Sequence, residues 1–254
     1  GPDPGCDEVL ELAMLPFAYC RQTGTVHTTS SPYHGLRQPS RPLPQDHLAR
    51  IGLTEKELAG REIEVGAIEP YADEADLVIA HGAALVRPFA EALALSFADR
   101  AWACSMTQIP WHAEGHDSHG LAWLAMANGL YFGDGRPLDQ CHALLSLLMG
   151  PKLSSGGSPL QMLLSDARRP SYRIWADAAP DTARAAMRQR GYRCHRPTRD
   201  RPETWSIDVP AGRLNDETQW LHREIYNFPF HLRIERLTAR TRYSCQWSDD
   251  DDRM

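Results

Sequence analysis

Four stretches of this chain carry residue types suited to chemistry. The apolar run over residues 77–89 passes through His81 and Gly82. Residues 111–120 hold His112, His116 and His119, and imidazoles four residues apart can share a metal ion when they stand on a helix. Gly115 and Gly120 instead make this segment a loop, so a solvated polar loop is expected there, with no bound metal and no cofactor. Asp7 and Glu8 are neighbours whose side chains point to opposite faces of an extended chain, so they do not form a carboxylate pair. The fourth stretch, residues 168–201, holds ten Arg (Arg168, Arg169, Arg173, Arg184, Arg188, Arg190, Arg193, Arg196, Arg199, Arg201) against three Asp. Tyr172, Trp175, Tyr192 and Trp205 interleave with or follow these cations, and cations with stacking rings suit a nucleic-acid strand. Aromatics on strands are more often core. Alternation puts Tyr172 and Ile174 on one face and Arg173 and Trp175 on the other, so at most one set meets a ligand.

The elements that must position these groups follow from local patterns. The chain has 254 residues, 42% of them hydrophobic, enough for one large or two small domains. No apolar run approaches a membrane span and no signal peptide is visible, so a cytoplasmic protein is expected. Cys6, Cys20, Cys104, Cys141, Cys194 and Cys245 form no Cys-x-x-Cys pair and read as reduced, mostly buried thiols. Gly1-Pro2 is of the kind a processing protease leaves. Residues 9–19 predict a strand, 24–34 a second strand and turn, and 48–58 helical structure in which Thr54 and Glu57 have capping-box spacing. Helices are expected over 62–72 and over 85–97 with Pro88 in the first turn; strands over 77–80 and 102–106. The Gly, Ser and Pro of residues 151–159 read as a linker. Beyond it the order is strand 172–176, helix 182–190 stopped by Gly191, strands 192–196 and 204–209, helix 215–226 capped by Asn215 or Asp216, and strand 231–237, the βαββαβ order of the ferredoxin-like arrangement. Residues 249–252 form an acidic run.

Two of these stretches resemble the motifs of the DEDDh 3'-5' exonucleases, relatives of the proofreading epsilon subunit of DNA polymerase III and of RNase T. The second motif of that family runs Ala-His-Asn-Ala, two residues, then a metal-binding Asp and Arg-Pro-Phe. This chain keeps Ala80, His81, Ala83, Arg87, Pro88 and Phe89, but has Gly82 for the Asn and Val86 for the Asp. The third motif, Gly-His-Arg-Ala-x-x-Asp-Cys-x-Ala-Leu, lines up with residues 134–144. There Gly135 stands for the general-base His, Pro137 for the Ala and Gln140 for the last metal-binding Asp. Asp139 is one residue early, which on a helix turns its side chain by about 100°. Residues 7–13 match the words that follow the family's first strand, which implies a chain that starts after the Asp-x-Glu ligands, either naturally or by truncation. The resemblance also implies a helix over 119–129 that supports the third motif. The tail resembles a C-terminal extension found in a bacterial subgroup of the family, which carries the likeness over nearly the whole chain.

The resemblance implies an α/β fold: an RNase H-like exonuclease domain lacking its first strand over 3–150, a linker over 151–159, a small α+β ferredoxin-like domain over 160–240, and an acidic tail over 241–254. Two-metal hydrolysis needs a carboxylate cage, and Val86, Gly135 and Gln140 cannot provide one. A pseudo-exonuclease is therefore expected, not an enzyme: a subunit of a larger assembly that binds single-stranded or duplex nucleic acid, self-associates or meets a protein partner, and has no dealings with membranes. Its expected contacts are the ten arginines together with His81 and Arg87. The rivals are an active metal-dependent 3'-5' exonuclease using atypical ligands such as Asp139, His119 and His142, and a protein-interaction module without nucleic-acid affinity. The place of the missing strand is expected to be filled by residues 232–243, by a rearranged N-terminus or by a partner.

Overall fold

The computed structural model describes residues 3–133, 135–154, 156–195, 197 and 202–244. The chain forms two compact units, one of Gly1–Ala167 with Arg240–Met254, the other of Arg168–Ala239. The expected boundary over 151–159 thus moves to 167/168. The helix that follows the Gly/Ser segment explains the shift, because Leu160, Leu163, Leu164 and Ala167 are buried with Ala103, Ile109 and Trp111 of the first unit. The chain also returns to the first unit at Arg240, so the second unit is an insertion.

In the first unit, β1 (Glu11–Met14) pairs antiparallel with β4 (Tyr33–Leu36), and β2 (Phe17–Tyr19) with β3 (Val26–Thr29). The single strand expected over 9–19 is divided at Pro16, which has no N–H for a ladder. α1 (Gln45–Arg50) and α2 (Glu55–Leu58) follow, and the Thr54–Glu57 capping box is formed, with the Thr54 N–H donating to the Glu57 carboxylate at 2.8 Å. Next come α3 (Val65–Asp73), β5 (Val78–Ala80), α4 (Ala83–Leu93), β6 (Trp102–Cys104), α5 (Leu121–Ala127), α6 (Pro137–Leu148) and α7 (Pro159–Arg168). Pro88 falls in the second turn of α4, since the helix starts earlier, at Ala83.

β5 and β6 pair parallel. β5 is covered on both sides: Val78 and Ala80 pack with Leu12, Met14, Ile68 and Trp102, while Leu77 and Ile79 pack with Phe17, Tyr19, Ile109 and Leu160. A strand with both faces covered belongs inside a sheet. Yet among the described residues no ladder joins the three strand pairs of the first unit. Residues 232–243 do not supply the missing strand either, because their extended part pairs within the second unit. What lies near the open edges is side-chain matter. The Tyr243 ring packs with Val9, Leu12, Met14 and Val78. The Arg37 N–H bond to the Leu10 carbonyl fixes the β1–β4 register so that Ala13 points its backbone groups away from β4. There the Ala13 carbonyl accepts the Cys141 thiol of α6 at 3.6 Å.

The second unit consists of β7 (Ser171–Ala176), α8 (Arg184–Arg190), β8 (Arg193–His195), β9 (Thr204–Pro210), α9 (Leu214–Trp220) running on into a π-helical turn (Leu221–Tyr226), and β10 (Arg233–Leu237). The strand order is β10-β7-β9-β8, antiparallel throughout. Gly191 ends α8 at φ 97°, as a C-cap glycine should. The expected Asn215 or Asp216 cap is not used: a 3-10 turn over Ala211–Arg213 starts the helix earlier and puts both residues inside it. The core gathers Ile174, Met187, Trp205, Val209 and Leu221.

Candidate nucleic-acid interface

The β5–α4 junction explains Gly82 by conformation. Its φ is 93°, which a side chain would strain, and it caps α4. His81 beside it has both ring nitrogens engaged, Nδ1 with Ser105 Oγ at 2.9 Å and Nε2 with the His119 carbonyl at 2.8 Å. A carbonyl only accepts, so Nε2 carries the proton and Nδ1 accepts from the Ser105 hydroxyl. Burial holds this imidazole below its ordinary pKa and keeps it neutral at pH 7. Val86, in the first turn of α4, is 39% exposed. Arg87 is corrected from surface contact to internal strut: it is 1% exposed, and its guanidinium donates to Glu91 at 2.5 Å and to the carbonyls of Arg242 and Ala98 at 2.8 Å each.

At the third motif Gly135 adopts φ 75°, and Gln140 Nε2 donates to its carbonyl at 2.6 Å. Asp139 lies against the preceding loop, where a Cβ on Gly133 would stand 2.5 Å from its carboxyl carbon. His142 is exposed. The rings of His112 and His119 lie 6.0 Å apart, while His116 sits between Trp111 and Trp123. Among the described residues no group of three or more His, Cys, Asp or Glu is placed to hold a metal ion.

Next to Gly135 and Gln140 a cleft of about 750 Å³ opens between the start of β1, α1 and the start of α6. Leu10, Leu43, Ile51 and Leu53 give it apolar walls. Its acids are engaged: Glu8 accepts from the Ser40 N–H at 2.9 Å, Asp7 from the Asp3 N–H at 2.9 Å, and Glu11 takes Arg136 and His34. Arg136 also reaches the Gly52 carbonyl at 3.1 Å, which ties the α6 start to the wall of the cleft. Arg41, His47 and Arg50 line the same cleft, and each is exposed. Among the described residues Arg41 and Arg50 make no ion pair. The cleft therefore sets Arg41, Arg50 and Arg136 against Asp7, Glu8 and Glu11 beside apolar walls, and Arg41 and Arg50 stay exposed.

The arginines of the second unit are placed differently. Arg173 and Arg193 share Asp208, at 2.7 and 2.9 Å; Arg184 meets Asp181 and Glu203; Arg190 meets Glu217 and lies 4.3 Å from the Trp220 ring. Arg188 lies over Trp205. Arg168 closes α7, and Arg169 follows it. Arg196, Arg199 and Arg201 lie outside the described residues. The ring platform is corrected: Trp175, Tyr192 and Trp205 are buried and Tyr172 packs on the same core, so none of the four offers an open face. Sequence counting showed a cationic surplus because the acids that answer it, Glu203, Asp208 and Glu217, fall beyond residue 201.

Burial alone would raise the Asp208 carboxyl, but Arg173 and then Arg193 outweigh it and hold the group below its ordinary value. Its folded pKa is below the unfolded one, so its contribution is present above about pH 4 and fades as pH falls through the folded value. We predict that Asp208→Asn costs about 2 kcal/mol at pH 7, in line with charge-assisted hydrogen bonds, and that the gap to wild type narrows below about pH 4. Urea midpoints at pH 7 and pH 3 measure this; a gap unchanged between them refutes the linkage.

The chain is thus a mixed α/β protein of two compact units. No family model and no curated protein matches it. Among solved structures, exonuclease X in complex with 5' overhanging duplex DNA is similar at 16% identity and a TM-score of 0.40, over 62% of this chain and 81% of that one. No helix among the described residues is long and apolar enough to cross a membrane.

Proposed function

We propose that this chain is a catalytically silent relative of the DEDDh exonucleases, with an RNase H-derived first unit and a ferredoxin-like insertion, and that it binds nucleic acid as a subunit of a larger assembly. The observation that carries the reading is the cleft beside Gly135 and Gln140, where Glu11 is held by Arg136, Glu8 and Asp7 accept backbone N–H groups, and Arg41 and Arg50 remain exposed. A two-metal site needs several oxygen ligands, and Val86, Gly135 and Gln140 leave too few for Mg²⁺ or Mn²⁺. Without those carboxylates a phosphate backbone meets less repulsion in the cleft, and binding persists where cleavage has gone. A second reading, a protein-docking module, is favoured by β5, which has both faces covered and, among the described residues, one edge paired.

Fluorescence anisotropy with a labelled single strand and a labelled duplex, across salt and with or without Mn²⁺, tests the proposal when the same samples are run on a gel. Affinity should fall steeply with salt while the strand stays full length. Shortened strands would overturn the silent-enzyme reading, and absence of binding at low salt would leave protein docking.

A further inference from the structure

The first unit is closed by the returning chain. Residues 240–244 lie along α4, where the Arg242 carbonyl accepts from Arg87 at 2.8 Å and the Ser244 hydroxyl donates to Glu91 at 3.1 Å. Arg240 donates to the Asp99 carbonyl at 2.5 Å, and the Tyr243 hydroxyl lies 3.3 Å from Thr107 Oγ1. The Tyr243 ring joins Leu12, Met14, Val78 and Met106 in the core, and Arg242 is 5% exposed. The neighbour of Thr107, Gln108, donates to the Asp166 carboxylate of α7 at 2.9 Å. One turn after β6 therefore grips the chain on both sides of the inserted second unit.

This seat is weakly committed on physical grounds. Residues 240–244 form neither helix nor strand, and their one large apolar anchor, Tyr243, sits at φ 71°, a region that strains a residue with a side chain. Arg87 and Glu91 pair with each other within α4 whether or not the segment lies on them. Burying an ion pair costs desolvation that the pair returns only in part. Lifting the segment therefore rehydrates a matched pair and strands no lone charge.

We propose that residues 240–244 are a releasable clasp: seated, they hold the returning chain along α4 of the first unit; released, they leave α4 and its Arg87–Glu91 pair to solvent. Burial lifts the Tyr243 hydroxyl to about 12, which marks the seated state in an ultraviolet titration.

Native-state proteolysis of the full chain with trypsin, with fragments read by mass, provides the test. Arg242 is buried, so cleavage after it requires the clasp to lift. The expected result is cleavage at Arg242 that rises shallowly with urea, while cleavage after Arg173, in the central strand β7, rises steeply because it needs that strand to leave its sheet. Thr107→Val and Ser244→Ala should each raise the Arg242 rate about 3-fold, with the urea midpoint of the remaining structure unchanged. Equal urea dependence at Arg242 and Arg173 would overturn the proposal. Arg242 rates equal to wild type in both variants would count against the clasp.

Discussion

Replacing Trp175 by alanine is expected to destabilise the second unit by about 3–5 kcal/mol, the range for deleting a large buried aromatic. Trp175 is 0% exposed in the central strand β7, with β9 on one side and β10 on the other. Its indole N–H donates to Glu235 at 2.7 Å, and the Arg233 guanidinium lies 4.2 Å from the ring centre. His195 of β8 tilts against it at 5.0 Å. Removing the indole leaves a cavity, an acid short of a donor and an arginine without its ring, which compound on one sheet face. Trp175→Phe keeps most of the packing and should recover over half of the loss. Urea unfolding followed by circular dichroism measures both variants, and an alanine variant within about 1 kcal/mol of wild type would show that the face is not held by this ring.

The second large effect concerns binding. Arg41→Glu with Arg50→Glu should weaken affinity for a labelled single strand by about 100-fold at low salt and flatten the salt dependence by roughly two phosphate contacts. Both residues are exposed on the cleft rim, so the folded state should hardly change. Arg193→Ala is the matched comparison, because that cation is answered by Asp208 at 2.9 Å and its loss should alter affinity by less than about 3-fold. Equal losses at the two places would move the interface to the second unit and refute the cleft as its seat.

Local signals were legible in the sequence where one element decides them. The Thr54–Glu57 box, the Gly191 stop, the apolar strand before His81 and the strand–helix order of the second unit all follow from spacing, since each needs only neighbours in the chain. The absence of carboxylates at Val86 and Gln140 is likewise a property of the sequence alone. Tertiary structure decided the rest. Arg87 reads as a surface cation until the Arg242 and Ala98 carbonyls enclose it. The arginines of residues 168–201 read as a basic face until strand pairing sets Arg173 against Asp208 and helix packing sets Arg190 against Glu217. Arg41 and Arg50 went unnoticed because no motif marks them; only the fold places them on one cleft, beside Gly135 and Gln140. Charge and burial are sums over neighbours in space, and these neighbours stand as far as 155 residues apart along the chain.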